Sequence, residues 1–324
     1  MTTMRAVRAH KRGGPEQLVY ESAPRPEPAA GEVLVAVHAA SITSGELAWD
    51  ATWTDSFDGS GGDRTPIVPS HEVSGVVAAL GPGVGGLSVG DEVYGLIPFT
   101  RDGATAEYVT VPADALAVKP SRLDHAGAAA VPLAALTAWQ ALVGKASLAS
   151  GQHVLVHGGA GGVGSFAVQI AAALGARVTA TASARDREFV SGLGADQVID
   201  YADERFEDHV DGADVVLDTV GGETLNRSWS ALRPGGTLVS IVQPPNPDDA
   251  ASRGARGVFF VVEPDRTGLE AVTALIDDGR LTPVVDRVVT LPETRAAYEA
   301  LESEHPRGKI VIQVNENDGD DGAA

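Results

Sequence analysis

The fold is decided by the stretch His153-Val-Leu-Val-His157, which is followed directly by Gly158-Gly-Ala-Gly-Gly-Val-Gly164 and Ser165–Leu174. The first segment is short and apolar, which favours a buried strand, and the last has the alanine-rich character of a helix. The glycine segment between them satisfies the pattern G-x-G-x-x-G. A strand, a glycine turn and a helix in this order predict the first unit of a parallel, doubly wound sheet.

The glycine spacing also predicts a phosphate site. Gly159 permits a tight turn, Gly161 lets the backbone approach a pyrophosphate, and Gly164 lets the helix pack closely on the sheet. The N–H groups of Gly162 and Val163, at the start of the helix, attract anions. A glycine turn that binds nothing is the alternative, but the strand before it and the helix after it favour a dinucleotide cofactor.

Residues at the end of the second strand of this unit favour NADPH. NAD enzymes place a carboxylate there for the ribose hydroxyls, whereas this chain has Ser183 and Arg185. Both can bind a 2′-phosphate, and Tyr201, at the end of the next strand, can close the third side. In the alternative interpretation, Arg185 and Arg187 are solvated charges at a helix start that Asp186 caps.

Strands alternate with helical stretches throughout residues 124–268, so this segment is predicted to be a Rossmann domain of the α/β class. The strand candidates are His153–His157, Arg177–Thr181, Gln197–Asp200, Val215–Asp218, Thr237–Val242 and Gly257–Val261.

The two flanking segments, residues 1–123 and 269–324, are predicted to form one β-rich domain, into which the Rossmann domain is inserted. The strand candidates are Arg5–His10, Leu18–Glu21, Glu32–Ala40, Val73–Leu80, Glu92–Gly95 and Ala106–Val111, then Val284–Leu291 and Lys309–Val314; the helices are Leu269–Asp278 and Glu293–Ser303. We expect the acidic tail Asn315–Ala324 to be a frayed end.

Composition limits the function classes. A chain of 324 residues that is 44% hydrophobic is long enough for two cores. Its net charge of −20 disfavours nucleic acids and anionic membranes as partners. The absence of cysteine excludes disulfides, thiolate nucleophiles and thiolate metal ligands. Since no apolar run is long enough for a membrane span and the start has no export pattern, we expect a cytoplasmic protein.

Further motifs follow one another along nearly the whole chain. They are Val73-Ser-Gly-Val-Val77, Val89-Gly-Asp-Glu-Val-Tyr94, Ala106-Glu-Tyr-Val109, Leu136-Thr-Ala-Trp-Gln140, Leu193-Gly-Ala-Asp196, Asp218-Thr-Val-Gly-Gly222, Leu232-Arg-Pro-Gly-Gly236 and Arg307-Gly-Lys-Ile-Val311. With the glycine segment, this ordered set resembles the zinc-lacking, quinone oxidoreductase-like (zeta-crystallin-like) branch of the medium-chain dehydrogenase/reductase superfamily. The resemblance implies a GroES-like catalytic domain, a homodimer, and zinc-independent hydride transfer from NADPH to a quinone or an α,β-unsaturated carbonyl compound.

The resemblance also implies roles for single residues. Thr137 matches a threonine near the nicotinamide, and Ser183, Arg185 and Tyr201 match the residues that hold the 2′-phosphate. A backbone segment that meets the carboxamide, and a C-terminal cofactor contact, match the following residues: Phe259, Phe260, Val261 and Lys309.

Two departures concern the substrate side. Relatives commonly carry Asn-Pro-x-Asp where this chain has Thr43-Ser44-Gly45-Glu46, which leaves the substrate preference open. Ser70-His71-Glu72 partly matches the Gly-His-Glu motif of the zinc-dependent branch. Because a catalytic zinc needs three protein ligands and that branch takes at least one from cysteine, we predict no metal and expect a hydrogen-bonding histidine.

Without a metal or a covalent nucleophile, catalysis should depend on proximity and on donors for the developing enolate or quinol oxygen. Candidate donors are Thr43, His71, Tyr94 and Tyr108, each of which is alternatively a structural group. The loop Trp49–Arg64 is predicted to be a pocket wall or lid, or else a separate hydrophobic cluster.

Three other functions remain open at this point. The chain could be a metal-dependent alcohol dehydrogenase, a catalytically weak protein that only binds NADPH, or an enzyme for a reductive or ring-closing step on a larger biosynthetic substrate. The sequence itself does not choose among these substrates.

Overall fold

A computed structural model describes residues 2–304 and 306–315. The chain divides into two compact units. Unit 1 contains the described residues up to Leu133, Glu263–Ala274 and the described residues from Pro283 onward; unit 2 contains Ala134–Val262 and Leu275–Thr282. The divisions therefore differ from those drawn at 123/124 and 268/269. Of the tail expected to fray, residues 316–324 lie outside the described residues.

The described elements follow one another as the sequence pattern predicts. The strands are β1 Thr3–Ala9, β2 Leu18–Pro24, β3 Glu32–Ile42, β4 Glu72–Leu80, β5 Glu92–Leu96, β6 Tyr108–Pro112, β7 Leu116–Val118, β8 His153–Val156, β9 Arg177–Ala182, β10 Gln197–Asp200, β11 Ala213–Asp218, β12 Leu232–Ser240, β13 Arg256–Phe259, β14 Val285–Thr290 and β15 Lys309–Gln313. The helices are α1 Asp50–Trp53, α2 His125–Ala129, α3 Pro132–Trp139, α4 Gly162–Ala173, α5 Arg187–Gly192, α6 Gly222–Ser228, α7 Pro247–Ser252, α8 Arg266–Asp277 and α9 Thr294–Ser303. Every predicted strand overlaps an observed one, while β7 was not predicted.

Unit 1 is built on a seven-stranded sheet in the order β14-β15-β3-β4-β5-β7, in which β6 also pairs with β3. The C-terminal strand β15 runs antiparallel to β3, with Ile310 opposite Ile42. This pairing confirms that the end of the chain rejoins the first domain. Helix α2 belongs to unit 1 because Ala129 packs with Ala39 and Val311 of the sheet, which places the first division later than the sequence predicted.

Unit 2 is built on a six-stranded sheet in the order β10-β9-β8-β11-β12-β13. All of its strand pairs are parallel. Residues 154–156 of β8 are wholly buried, because a central parallel strand is covered on both faces. The strand order reverses at β8, and ligands of doubly wound sheets bind at the carboxyl ends of the strands beside such a reversal. The glycine segment follows β8 at this position.

None of the helices within the described residues combines the length and apolar character needed to cross a membrane.

The histidine that follows β8 makes the stability of unit 2 sensitive to acid. His157 is fully buried, and burial, assisted by the Arg227 guanidinium, lowers the pKa of His157 from its ordinary 6.5 to about 3. In the unfolded chain the imidazole takes up a proton below its ordinary pKa, whereas in the folded chain it does not. The stability contributed by neutral His157 is therefore complete above pH 6.5 and is lost as the pH falls toward 3.

We expect acidification from about pH 7 to about pH 5 to lower the free energy of unfolding by roughly 2 kcal/mol through His157 alone. Burial also lowers the pKa values of His125 and His153, so the total loss is larger. Urea unfolding at the two pH values measures it. A His157→Gln variant should show a smaller loss than the wild type, whereas substitution of the exposed His10 should not. Equal losses in the wild type and His157→Gln would contradict this prediction.

Candidate functional site

The glycine loop, residues 158–164, presents uncapped backbone amides at the start of the 12-residue helix α4. Gly161 is the N-cap of this helix, and no side chain caps it. The Gly158 carbonyl accepts a hydrogen bond of 3.0 Å from the Gly161 N–H, which closes the turn. A Cβ atom on Gly164 would lie 2.0 Å from the Gly158 oxygen. The loop therefore requires glycine at this position, and the diphosphate site expected there stays a prediction.

The predicted phosphate trio of Ser183, Arg185 and Tyr201 lies at the ends of two paired strands. Asp200, the last residue of β10, pairs with Ala182, the last residue of β9, and the Tyr201 N–H donates to the Ala182 carbonyl at 3.2 Å. The side chain of Arg185 is 66% exposed, and Tyr201 is 65% exposed. The structure thus brings the three residues to the same corner of the sheet with two of them open to a ligand.

The alternative interpretation of this turn is wrong in one detail. Asp186 makes no side-chain cap for α5. Its buried carboxylate instead accepts hydrogen bonds from Ser183 Oγ at 2.6 Å and from Arg185 Nε at 3.3 Å. Arg187 is held by the Val198 carbonyl and by Glu204. Asp186 therefore orients two members of the trio, while Arg187 binds β10 and the segment after it.

The other cofactor residues implied for unit 2 are spread over two elements. Thr137 is buried within α3. Phe259 ends the edge strand β13 and is 40% exposed, Val261 is 50% exposed, and Phe260 is buried beneath the Lys145 ammonium, which lies 5.5 Å from its ring centroid. These residues keep the roles implied by the resemblance as predictions.

A buried polar cluster in unit 1 joins residues that are far apart in the sequence. Its members are Thr43, Glu46, His71, Glu72, Tyr298 and Lys309. The Lys309 ammonium lies 2.6 Å from Glu72 Oε2 and donates to Thr43 Oγ1 at 2.9 Å. Glu72 also accepts from the Leu133 N–H at 3.0 Å. Burial raises the pKa of Glu72, and Lys309 opposes that rise. The structure thus gives Lys309 two protein partners, and its contact with the cofactor stays a prediction.

The second half of the cluster is the pair His71 and Glu46. Glu46 Oε2 lies 3.4 Å from His71 Nδ1, and Oε1 accepts from the Thr43 N–H at 3.0 Å and from the Tyr298 hydroxyl. Burial raises the pKa of Tyr298 well above its ordinary value, as does the Glu46 charge, so the phenol keeps its proton and donates. Because a carboxylate only accepts, His71 directs Nδ1–H to Glu46. Its other nitrogen, Nε2, is buried with no hydrogen-bond partner.

An aromatic wall of Trp49, Phe57 and Phe99 adjoins this histidine. Phe99 meets His71 edge to face, with ring centroids 5.2 Å apart. Trp49 and Phe57 both pack on Phe99, at 5.2 and 6.3 Å, and Phe57 is largely exposed. The loop Trp49–Arg64 therefore supplies part of a wall that includes His71. Beside Thr43 and Glu46, unit 1 also has a pocket of about 240 Å³ on the side of Tyr298.

The two predicted tyrosine donors lie elsewhere in unit 1. Tyr94 is fully buried, and its hydroxyl lies 2.9 Å from the Leu269 carbonyl and 2.8 Å from Thr273 Oγ1. These protein partners engage the Tyr94 hydroxyl, which disfavours its use as a substrate donor. Tyr108 stacks under the Arg25 guanidinium at 3.8 Å. The structure groups only Thr43 and His71 among the predicted donors.

Sequence reasoning missed three members of this region. Glu46 was noted only as the end of an altered motif, and Phe99 and Tyr298 were not singled out. Tyr298 lies on α9, 252 positions from Glu46, so no local pattern links them. The sequence offered one signal for this cluster. If Glu46 is expected to be buried, hydrogen-bond donors must surround it, because a buried carboxylate needs donors.

Three family profiles match the chain. The alcohol dehydrogenase GroES-like domain matches residues 29–121, the alanine dehydrogenase/PNT C-terminal domain matches residues 127–224, and the zinc-binding dehydrogenase profile matches residues 193–312.

Known proteins resemble the chain over most of its length. It is 32% identical over 326 residues to the mitochondrial NAD(P)H oxidoreductase RTN4IP1 of Danio rerio, covering 88% of this chain and 84% of that protein. It is 37% identical over 257 residues to the chloroplastic NADPH-dependent alkenal/one oxidoreductase of Arabidopsis thaliana, covering 76% and 64%. The solved quinone oxidoreductase of Coxiella burnetii superposes with a TM-score of 0.88 at 31% identity, covering 97% and 100%. The chain belongs to the quinone oxidoreductase-like branch of the medium-chain dehydrogenase/reductase superfamily.

Membership of this superfamily makes the chain an NAD(P)H-dependent oxidoreductase with a GroES-like domain and a Rossmann domain, which confirms the family and the fold class recognised in the sequence. The relatives named above include one mitochondrial and one chloroplastic protein. The cytoplasmic location expected for this chain stays a prediction.

Zinc, which one of the superfamily profiles names, does not fit the residues present. The chain has no cysteine, and Glu72 is held by Lys309 and the Leu133 amide. Within residues 2–304 and 306–315, no group of three His, Cys, Asp or Glu side chains is arranged to hold a metal ion. A catalytic zinc needs three such ligands and an open position, and zinc independence stays a prediction.

Proposed function

We propose that this protein is an NADPH-dependent reductase that acts on quinones or α,β-unsaturated carbonyl compounds without a metal. The observation that carries the cofactor assignment is the phosphate trio beside the glycine loop, in the place where NAD enzymes have a carboxylate. The names of the Arabidopsis and Coxiella relatives support the acceptor classes. Within the superfamily, the NADPH site and these two relatives together favour reduction of conjugated acceptors over oxidation of simple alcohols.

The residues of unit 1 offer a donor for the acceptor oxygen. The cofactor supplies a hydride when it is bound. As the hydride reaches the conjugated carbon of an enone, the electron pair of the double bond moves to the carbonyl oxygen, which needs a donor. His71 Nε2 is a buried nitrogen that has no protein partner, and Glu46, at the other ring nitrogen, orients the imidazole so that Nε2 can hold or pass a proton.

The aromatic wall suits the same substrates. Quinones and enones are flat and conjugated, and such groups pack well against aromatic rings. Phe99 contacts His71 and both other members of the wall. A flat acceptor that packs on the wall therefore lies within reach of the imidazole.

A panel of quinones and enones tests the proposed function. Purified protein should oxidise NADPH in the presence of at least one conjugated acceptor, and chelation should leave the rate unchanged. The absorbance of NADPH measures the reaction. Tight NADPH binding without turnover on any acceptor would favour a binding protein, and a rate that requires added metal would favour an alcohol dehydrogenase.

Arg185→Ala should weaken NADPH binding by roughly 2 kcal/mol, which is about thirtyfold, because a charge-assisted bond to the 2′-phosphate is lost. NADH lacks that phosphate and should bind equally to both proteins. Arg187→Ala is the matched control, since Arg187 lies in the same turn but contacts Glu204 and Val198. Fluorescence titration with each cofactor measures the dissociation constants. Equal losses for NADPH and NADH would refute the phosphate assignment.

We also propose a homodimer. Among residues 2–304 and 306–315, no strand pairs with the outer side of β13, and Phe259 and Val261 are exposed on and just after this strand. An unpaired edge with apolar side chains favours sheet extension by a second copy. Sedimentation equilibrium should give twice the chain mass, and a monomer at micromolar concentration would contradict the proposal.

A further inference from the structure

His157 stands directly before the glycine loop, and both of its ring nitrogens have partners. Nδ1 lies 3.2 Å from Thr181 Oγ1 on β9, and Nε2 lies 3.0 Å from Ser228 Oγ at the end of α6. The ring packs edge to face on Phe206 at 4.6 Å. A buried imidazole therefore bridges a strand and a helix beside the cofactor loop.

The directions of these hydrogen bonds are fixed by the other partners. Ser228 donates its one hydroxyl proton to the Thr224 carbonyl at 2.7 Å, so His157 Nε2 must donate to Ser228. A neutral ring then accepts at Nδ1 from the Thr181 hydroxyl. Thr181 Oγ1 in turn accepts from the Gly158 N–H at 3.2 Å. One directed chain of hydrogen bonds thus runs from the glycine loop through His157 into α6.

This chain holds the first residues of the loop. Gly158 has a φ of +75°, and its carbonyl accepts the Gly161 N–H that closes the turn. The Thr181 carbonyl also accepts from the Gly159 N–H at 2.8 Å. Thr181 therefore holds the N–H groups of two consecutive peptides, one on each side of the Gly158 Cα, and the direction of the α4 amides depends on this turn.

We propose that His157 is a positioning residue, whose neutral ring orients Thr181 so that the glycine loop is held ready for the cofactor diphosphate. The Thr219 hydroxyl, just after β11, also holds this residue, because it donates to the His157 carbonyl at 2.8 Å. A protonated ring would lose the acceptor that the Thr181 hydroxyl needs. This inference rests on the proposed binding of NADPH.

Thr181→Val tests the inference, because valine keeps the shape and removes the hydroxyl. We expect the Kd and the KM for NADPH to rise about tenfold, the typical effect of losing a hydrogen bond of this kind, with a much smaller change in kcat. Thr179→Val is a matched control. Thr179 lies on the same strand, two residues before Thr181, and its hydroxyl is 2.9 Å from Nε2 of His153 on β8, so it contacts a different histidine.

Thr181→Ser should restore the wild-type KM for NADPH, because serine keeps the hydroxyl. Ser228→Ala should raise this KM in the same direction, whereas Ser230→Ala should not, since Ser230 bonds only the Arg227 carbonyl in an equivalent turn. Equal increases of the KM for NADPH in Thr181→Val and Thr179→Val, or no increase in either, would overturn the role of His157. The proposal that the protein binds NADPH would still stand. A wild-type protein that ignores NADPH would instead overturn the proposed function.

Discussion

Gly164→Ala is expected to weaken NADPH binding roughly hundredfold, because an added methyl group in this packed site forces the backbone to move at a cost of about 2–3 kcal/mol. The new Cβ atom would lie 2.0 Å from the Gly158 oxygen and 3.0 Å from the Gly159 Cα. Neither atom belongs to a flexible side chain, so the loop itself must shift. A shifted loop no longer aims the Gly162 and Val163 amides at the diphosphate. Fluorescence titration with NADPH measures the effect.

Gly192→Ala provides the control for this substitution. Gly192 also lies in a helix of unit 2, but a Cβ atom there would meet nothing within 4 Å, and its φ is outside the left-handed region. This variant should bind NADPH as the wild type does and should be at least as stable. Thermal unfolding shows whether Gly164→Ala remains folded. A folded Gly164→Ala protein with unchanged affinity would show that the glycine loop does not hold the cofactor.

His71→Gln is expected to lower kcat by about a hundredfold or more, within the range found for general acids. The KM for NADPH should change little, because His71 belongs to unit 1 and the glycine loop to unit 2. Steady-state rates with the best acceptor of the panel measure the effect. The unpartnered Nε2 atom is the physical reason, since the variant removes the proton donor while the size of the side chain stays similar.

Glu46→Gln, alone and combined with His71→Gln, separates a catalytic effect from a packing effect. Glu46→Gln should also lower kcat, because His71 loses the carboxylate that orients its ring, and the losses of the two single variants should not add in the double variant if the residues act as one unit. Phe57→Leu changes the exposed end of the aromatic wall without touching His71, so it should alter the KM for the acceptor more than kcat. Full activity in His71→Gln would assign the proton transfer to Thr43 or to water.

The sequence determined most of the fold and the whole cofactor loop, because these depend on local patterns. Strand β8, the glycine loop and α4 are contiguous, and Gly164 is required by the close approach of the Gly158 carbonyl six residues earlier. The strands of unit 2 are separated by helical stretches that force parallel pairing. The phosphate trio could also be predicted from the sequence, since β9 and β10 are neighbouring strands whose ends align.

The tertiary structure decided the polar cluster of unit 1 and the bonding of His157. Glu46 meets Tyr298, and Lys309 meets Thr43 and Glu72, only because β15 returns to pair with β3 and α9 follows β14 back to the first segment. The direction of the His157 chain likewise depends on Ser228, which lies 71 positions away. Local propensities reach only a few residues, whereas a buried charge or imidazole takes its partners from whichever segments the fold packs around it.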